Sequence, residues 1–477
     1  MSVLVWLRHE LRTCDNPLFL QAAQYHTPIY TCYCVTEKQW KKQHHSQARN
    51  QFVLNRLIDM RQELHTLNIP LLVFNCETYQ GCIDTILSTV KKIQANVILI
   101  GEEYGLWERQ RDAEIEEKLH KQGCTLKKIT SQLLVAPNTL MTRQNKPYRV
   151  FTPFAKAWHK QIATLSQQYI SEPYDNLESI SCDEGLTDDQ LRQLANGKSR
   201  WPTSEKKILN HLELFIRDKV SHYLLQRDFP AKSATSCLSP AFAHGICSVQ
   251  QALTLLQKYH PEDLMPKTGA SCWLNELIWR EFYIHLLAQF DSISQGLAFK
   301  PQTRHIKWHD NPQHLYAWQQ GKTGIPIVDA GMRQLNMTGW MHNRVRMITA
   351  SFLCKNLWLD WKSGERYFMN NLVDGHLANN NGGWQWSSST GTDSVPYFRV
   401  FNPITQSQKF DPNGDYIRQW IPELSILDSQ SIHQPTESER KKIGYPLPIV
   451  DLKTSRDKAI QEFARQTTTR EKTSPAI

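Results

Sequence analysis

The sequence predicts two architectures in one chain, an α/β domain built on a Rossmann-like parallel sheet followed by an all-α domain. Three observations predict it. The chain has 477 residues, more than one hydrophobic core ordinarily serves, so two domains are expected. Over residues 1–130 short apolar runs alternate with longer amphipathic stretches, the pattern of βαβ units. Beyond about residue 205, apolar residues recur at three- and four-residue spacing between Pro, Gly, Asn and Asp, which is helical periodicity.

The strands are VLVWL at 3–7, PIYTCYCV at 28–35, PLLVFN at 70–75 and NVILIG at 96–101, with helical stretches between them that include 47–68 and 108–122. Such continuously apolar strands predict a sheet covered on both faces. No GxGxxG or P-loop follows the first strand, so this domain lacks the sequence of a dinucleotide or NTP phosphate cradle. Residues 131–204 weaken into polar stretches, densest over 171–200, and are expected to form a connector crossing the surface. The helical domain is expected over 205–452, with helices at 205–226, 248–259, 269–290, 312–319, 326–337, 340–358 and 364–372; a polar tail at 453–477 is expected to fray.

Composition excludes several classes. No run approaches the roughly 18 apolar residues of a membrane span, and MSVLVWLRHELR reaches Arg8 too soon for the apolar core of a signal peptide. A soluble, cytoplasmic protein without a membrane partner is expected. Eleven cysteines include no CxxC pair; Cys32 and Cys34 read as alternating strand positions, so free thiols and no metal are expected. The formal charge of +9 is compatible with a polyanionic partner without demanding one.

Five stretches carry chemistry. In 273–283, helical spacing puts Trp273, Glu276, Trp279, Arg280 and Tyr283 within an arc of about 120°, a polar-aromatic wall, although an Arg280–Glu276 helix pair beside packed indoles would use the same residues. In 340–350, Asn343, Arg346 and Met347 share a face, while Arg344 points elsewhere, toward a phosphate or toward solvent. This segment, Asp374-Gly375-His376 and the run Asn379-Asn380-Asn381-Gly382-Gly383-Trp384-Gln385-Trp386 interleave basic, amide, acidic and indole groups in a way that suits a large, flat, polar ligand such as a flavin or a nucleobase. Thr235-Ser236-Cys237-Leu238-Ser239 offers hydroxyls near a helix start, which suits a phosphate or ordinary N-capping.

Taken together these segments resemble the DNA photolyase/cryptochrome family, and within it the bacterial class I cyclobutane pyrimidine dimer photolyases. The resemblance begins at Trp6-Leu7-Arg8-His9-Glu10-Leu11-Arg12 with Asp15-Asn16, passes through Arg227-Asp228-Phe229-Pro230 and Thr235–Ser239, and runs almost unbroken from Trp273 to Gln406. It implies FAD held by Tyr223, Thr235, Ser236, Cys237, Leu238, Ser239, Trp273, Arg280, Arg346, Asp374, Gly375, His376 and Asn380, with Asn380 near the flavin N5 and Arg346 paired with Asp374. It implies a lesion pocket with Glu276, Trp279, Arg280, Asn343, Met347, Trp386 and Gln406, DNA phosphates met by Arg227 and Arg344 without sequence specificity, and photoreduction through Trp308, Trp361 and Trp384. The activity implied is a light-driven carbon–carbon lyase acting on pyrimidine dimers flipped out of DNA, with Glu276, best protonated, bonded to the thymine carbonyl edge.

Three departures qualify this. Cys237 stands where the family has Arg or Lys, and His376 replaces the second Asp of D-G-D. Glu108 matches the folate-antenna position, but Trp107 replaces an Asn and Ser294-Gln295 replaces a Cys-Lys pair, which leaves a methenyltetrahydrofolate antenna open. A cryptochrome-type photoreceptor without repair activity is the alternative; repair of (6-4) photoproducts and an unrelated electron-transfer flavoprotein are more distant ones. A monomer is expected.

Overall fold

The computed structural model describes residues 2–163, 184–261 and 267–468, with side chains to 466. The polar stretch 171–183 and the end of the tail, 469–477, lie outside the described residues. The described chain divides into two units, one formed by residues 1–224, 236–294 and 373–375, the other by 225–235, 295–372 and 376–477. This division differs from the expected boundaries, since the helical segments up to 294 group with the α/β part.

In the first unit, strands β1 (Ser2–Leu7), β2 (Ile29–Val35), β3 (Leu71–Asn75), β4 (Ala95–Gly101) and β5 (Thr125–Ile129) form a parallel sheet in the order β3-β2-β1-β4-β5. Four strands fall where the apolar runs predict them. β5 was not predicted because TLKKI has no apolar run; it is an edge strand with exposed Thr125, Lys127 and Lys128, and lysines on an edge discourage pairing with other chains. Helices α1 (Gln47–His65), α2 (Tyr79–Lys92) and α3 (Leu106–Lys121) connect the strands.

The expected connector is not a featureless crossing. It carries α4 (Phe151–Ile162), which buries Phe154, Ala155 and Trp158, and a further helix at Asp188–Ala195. The reason is legible: Phe151, Phe154, Ala155 and Trp158 lie at i, i+3, i+4 and i+7, one apolar stripe. That stripe meets α5 (Gly269–Gln289), where Phe154 packs beside Phe282 and His285 at 5.2 and 4.9 Å between ring centroids.

The second unit is helical. It contains α6 (Asn343–Ser351), α7 (Trp361–Asn371), α8 (Leu377–Ser387) and α9 (Leu452–Thr468) around a core that includes Trp318, Met341, Phe352, Trp361, Trp384 and Tyr416. The tail expected to fray from 453 is helical through 468. Ala459 and Phe463, one turn apart on α9, are buried with Ile306 and Trp358, which gives the polar segment one apolar anchor line. α8 had no predicted helix, because its sequence LANNNGGWQWS is poor in helix formers.

His342 caps α6, its Nδ1 accepting from the backbone N of Arg344 at 3.2 Å, and burial lowers its imidazole from 6.5 to about 4. The unfolded chain therefore takes up this proton first, so the stability from a neutral His342 is present above about pH 6.5 and is lost as pH falls toward 4. Between those limits the wild type should lose about 2–3 kcal/mol more than His342→Asn, which keeps a capping oxygen. Denaturant melts at both pH values measure the difference, and equal slopes for the two proteins would contradict it.

Candidate functional site

In the first unit the polar-aromatic wall sits on α5. A capping box between Thr268 and Ser271 starts the helix. Leu277, Ile278, Glu281 and Phe282 are buried on one side, while Glu276, Trp279, Arg280 and Tyr283 remain half-buried. A partly open face of this composition is what a helix would present to a ligand rather than to a core. Trp273 belongs to the wall by angle but is buried at 3% exposure, packed beside Phe215 and Phe242 at 5.4 and 6.3 Å.

Three features of this wall escaped the sequence reading. Phe151, at the start of α4, stacks on Trp279 with ring centroids 3.6 Å apart and planes 5° from parallel, so one indole face is already covered. Arg280 donates through Nη1 to Gln132 O at 2.8 Å and through Nη2 to Phe242 O at 3.2 Å; its buried Nε has no hydrogen-bond partner among the described residues. Behind it, Glu281 accepts from Trp158 Nε1 and Leu134 N, each at 2.7 Å. Burial pushes that carboxyl up to about 7, and His285, lowered by burial to about 4, donates to Val135 O at 2.9 Å. Neutral or shared protons in this layer tie residues 132–135 to α5 at little cost in buried charge.

The remaining first-unit candidates lie in two short segments and at Tyr223. Ser236 offers its carbonyl to His211 Nε2 at 2.8 Å, Cys237 is exposed in a left-handed conformation at φ 53°, and Ser239 opens a five-residue helix with Leu238 before it. Val373, which precedes Asp374 and Gly375, accepts from the buried His244 at 3.1 Å. Tyr223 is buried, edge-on to Phe215 at 6.2 Å.

The second unit holds the other candidates. Arg344 does not stand free as a phosphate ligand. Its Nη2 and Nε bond Asp228 Oδ1 at 2.8 and 3.3 Å, and its guanidinium lies 4.5 Å from the centre of the Phe410 ring. Arg227 Nε lies 3.9 Å from the same carboxylate oxygen, so two cations share one anion. Asn343 is exposed at the first turn of α6, Met347 is half-buried a turn later, and Arg346 donates through Nε to Met341 O at 2.8 Å. Thr235 is half-buried, as are Trp386, 6.4 Å from the Phe401 ring, and Gln406.

α8 is held by side chains rather than by helix propensity. Asn380 donates to Glu365 O at 3.0 Å, Asn381 to Glu365 Oε1 at 2.8 Å, and Gln385 to Asn381 Oδ1 at 2.8 Å, while Gln385 accepts from Phe299 N at 2.7 Å. Burial raises the Glu365 carboxyl to about 7, against the pull of the Asn381 amide. His376 takes the N-cap position without a side-chain cap bond, as expected of a residue replacing Asp. Trp384 is buried with Phe368 at 4.9 Å and Trp318 at 6.0 Å. Of the other expected electron carriers, Trp361 is buried at the start of α7, and Trp308 lies 4.9 Å from Trp358.

These residues fit a flat polar group such as a flavin. Among the described residues, the Oδ1 of Asn379 and the Nε1 of Trp384 are buried without hydrogen-bond partners, and a Cβ at Gly383, one turn from both Asn379 and Asn380, would meet nothing within 4 Å. An open flank beside unsatisfied amide chemistry is a cradle for a ligand. The antenna position fits less well: Glu108 Oε1 accepts from Gln43 Nε2 at 2.5 Å and from the Tyr79 hydroxyl, and Ser294 Oγ accepts from Leu106 N at 3.1 Å. One carboxylate oxygen of Glu108 and the hydroxyl oxygen of Ser294 are thus engaged within the first unit.

Comparison with known proteins agrees with this geometry. The family profile described as the FAD binding domain of DNA photolyase matches residues 273–465, and that described as DNA photolyase matches 3–173. The deoxyribodipyrimidine photo-lyase of Vibrio cholerae is 39% identical over 468 residues, 96% of this chain and 98% of the relative; that of Escherichia coli is 39% identical over 465 residues with the same coverage. Among solved structures, a bacterial class III photolyase from Agrobacterium tumefaciens matches with a TM-score of 0.85 at 30% identity over 98% of both chains. A Synechocystis cryptochrome matches with a TM-score of 0.84 at 26% identity, over 96% of this chain and 98% of its own. Identity at this level over nearly the whole length means that the chain belongs to the DNA photolyase family and carries that family's FAD-binding domain.

Proposed function

We propose that this protein is a deoxyribodipyrimidine photo-lyase that repairs cyclobutane pyrimidine dimers in DNA under light. The observation that carries the reading is the half-open face of α5, where Glu276, Trp279, Arg280 and Tyr283 stay half-buried while Leu277, Ile278, Glu281 and Phe282 between them are buried. To FAD we assign Tyr223, Ser236, Cys237, Leu238, Ser239, Trp273, Arg280, Asp374 and Gly375 of the first unit and Thr235, Arg346, His376 and Asn380 of the second. Reduced FAD, when bound, would absorb the light and supply the electron that opens the cyclobutane ring and is then returned.

The chain's own residues bind and orient. A dimer leaves the stack at reduced cost because its pairing and stacking are already weakened. The indole face of Trp279 not occupied by Phe151 offers it an apolar surface. Glu276 holds a hydrogen bond to a pyrimidine carbonyl, where negative charge gathers as the ring opens. To the same lesion we assign Asn343, Met347, Trp386 and Gln406. Arg227, Asp228 and Arg344 together carry one net positive charge, so they attract a phosphate weakly and without reading sequence. We further propose a monomer acting in the cytoplasm, with Trp308, Trp361 and Trp384 restoring reduced flavin. The repair step needs no folate antenna, whose expected contact Glu108 is held through one oxygen by Gln43 and Tyr79.

Repair of a thymine-dimer oligonucleotide by the reduced protein tests the reading. Loss of dimer should require light, and Glu276→Ala should lower repair per absorbed photon roughly tenfold or more while leaving flavin content unchanged. Bound, photoreducible flavin with no repair under light would replace this reading with the photoreceptor one.

The stacked Phe151 generates a second expectation. Phe151→Ala frees Trp279 to move and should weaken preference for dimer-containing over intact DNA about threefold to tenfold, the equivalent of one aromatic pair. Competition binding with irradiated and intact duplex measures this, and an unchanged preference would remove Phe151 from the lesion-binding account.

A further inference from the structure

Three cysteines far apart in sequence converge inside the first unit. Cys34 lies on β2, Cys76 directly follows β3, and Cys82 sits in the first turns of α2. Their sulfurs all lie within 4.8 Å of one another, and the three residues are 8%, 7% and 1% exposed. Among the described residues this is the one group of three His, Cys, Asp or Glu side chains brought together so closely. Buried cysteines commonly serve as small apolar fillers, and Cys124, Cys247 and Cys354 are buried as such candidates. Convergence of three sulfurs on one point needs a further reason.

The backbone around the cluster is built to hold it. Cys34 is fixed by the parallel register that pairs it with Phe74, and Cys76 N bonds Val35 O at 2.8 Å. Glu77 then turns the chain through a left-handed conformation at φ 56°. A Cβ at Gly81 would lie 2.1 Å from Cys76 O, so only glycine lets the start of α2 approach closely enough to set Cys82 beside Cys76. Thr78 caps the helix by accepting from Gly81 N at 3.2 Å. Thr85 Oγ1 lies 3.4 Å from Cys76 Sγ, within reach of the sulfur as a supporting hydrogen bond. Sheet register, a left-handed turn and a glycine thus fix the three sulfurs from separate elements.

We propose that Cys34, Cys76 and Cys82 form a trithiolate site for one soft, thiophilic metal ion of the Zn(II), Cd(II) or Cu(I) class. Metal–sulfur bonds of about 2.3 Å set three sulfurs about 4 Å apart around one ion, so a contraction of less than an ångström closes the site. Sulfur-only donors select soft ions and reject Mg(II), Mn(II) and Ca(II), which require oxygen ligands. Three S–H bonds break as three metal–sulfur bonds form, the protons pass to solvent, and no electron changes hands. The turn carrying the exposed Glu77 lies next to Cys76 and gives the ion a short path from solvent.

The purified full chain, reduced and stripped of metal, should be titrated separately with Zn(II), Cd(II), Cu(I) and Mg(II). We expect one equivalent of a soft ion per chain, an ultraviolet sulfur-to-metal charge-transfer band with Cd(II), three sulfur scatterers at about 2.3 Å in the Zn(II) absorption fine structure, and no response to Mg(II). Cys34→Ser, Cys76→Ser and Cys82→Ser should each weaken binding by roughly tenfold or more, and Cys272→Ser should not. Because a core substitution can impair folding, the wild type supplies the independent measurement: its melting temperature should rise with one equivalent of bound ion. No stoichiometric uptake of any soft ion, no rise in melting temperature, or full binding by a folded Cys76→Ser protein would each overturn the site.

Discussion

The seating of Trp384 over the α-carbon of Gly364 is the constraint on which the second unit's most unusual element depends. α8 is a helix written in asparagine, glycine and tryptophan, residues that do not favour helices on their own. It forms because α7 leaves a space at Gly364 that the indole fills: a Cβ there would meet Trp384 Cη2 at 2.1 Å and Cζ3 at 2.4 Å. Glu365, the next residue, then holds Asn380 by its carbonyl and Asn381 by its carboxyl. Apolar seating fixes the axis of the helix and the hydrogen bonds fix its rotation, so that the space beside Gly383 stays open while Asn379 and Asn380 are held half-buried next to it. The flavin assignment of Asn380 inherits its geometry from this pair of residues on α7.

A comparable division of labour operates in the first unit. The buried side of α5 is fastened by polar groups that avoid net charge, with Glu281 pushed toward neutrality and His285 kept neutral by the same burial. Fastened from behind, the opposite face can leave a carboxylate, two aromatic rings and a guanidinium half-open without a core to hold them. Arg280 ties other segments to the helix, since two of its nitrogens hold the backbone carbonyls of Gln132 and Phe242.

What the sequence made legible follows from where the signal was local. Apolar runs placed β1 to β4, and three- and four-residue spacing placed α5 and α6, with Glu276, Trp279, Arg280 and Tyr283 half-buried and Trp273 buried. Family resemblance picked out the residues of α8 without indicating that they form a helix, because its stability comes from Gly364, Glu365 and Phe299, which are distant in sequence from some or all of it. β5 was hidden by its lysines, α9 by a polar composition relieved only at Ala459 and Phe463, and α4 by a polar neighbourhood that masked its stripe. Phe151 on Trp279, Asp228 on Arg344 and Gln43 on Glu108 are tertiary pairings between segments whose separate patterns carry no record of one another.

Flavin affinity and melting temperature of Gly364→Ala, alone and combined with Trp384→Phe, test the central claim most directly. The account predicts that the alanine displaces Trp384, lowers stability by about 1–3 kcal/mol as overpacking does and releases flavin, and that the smaller phenyl ring in the double variant restores part of both. Unchanged stability and flavin affinity in Gly364→Ala, or a double variant no better than the single one, would contradict it.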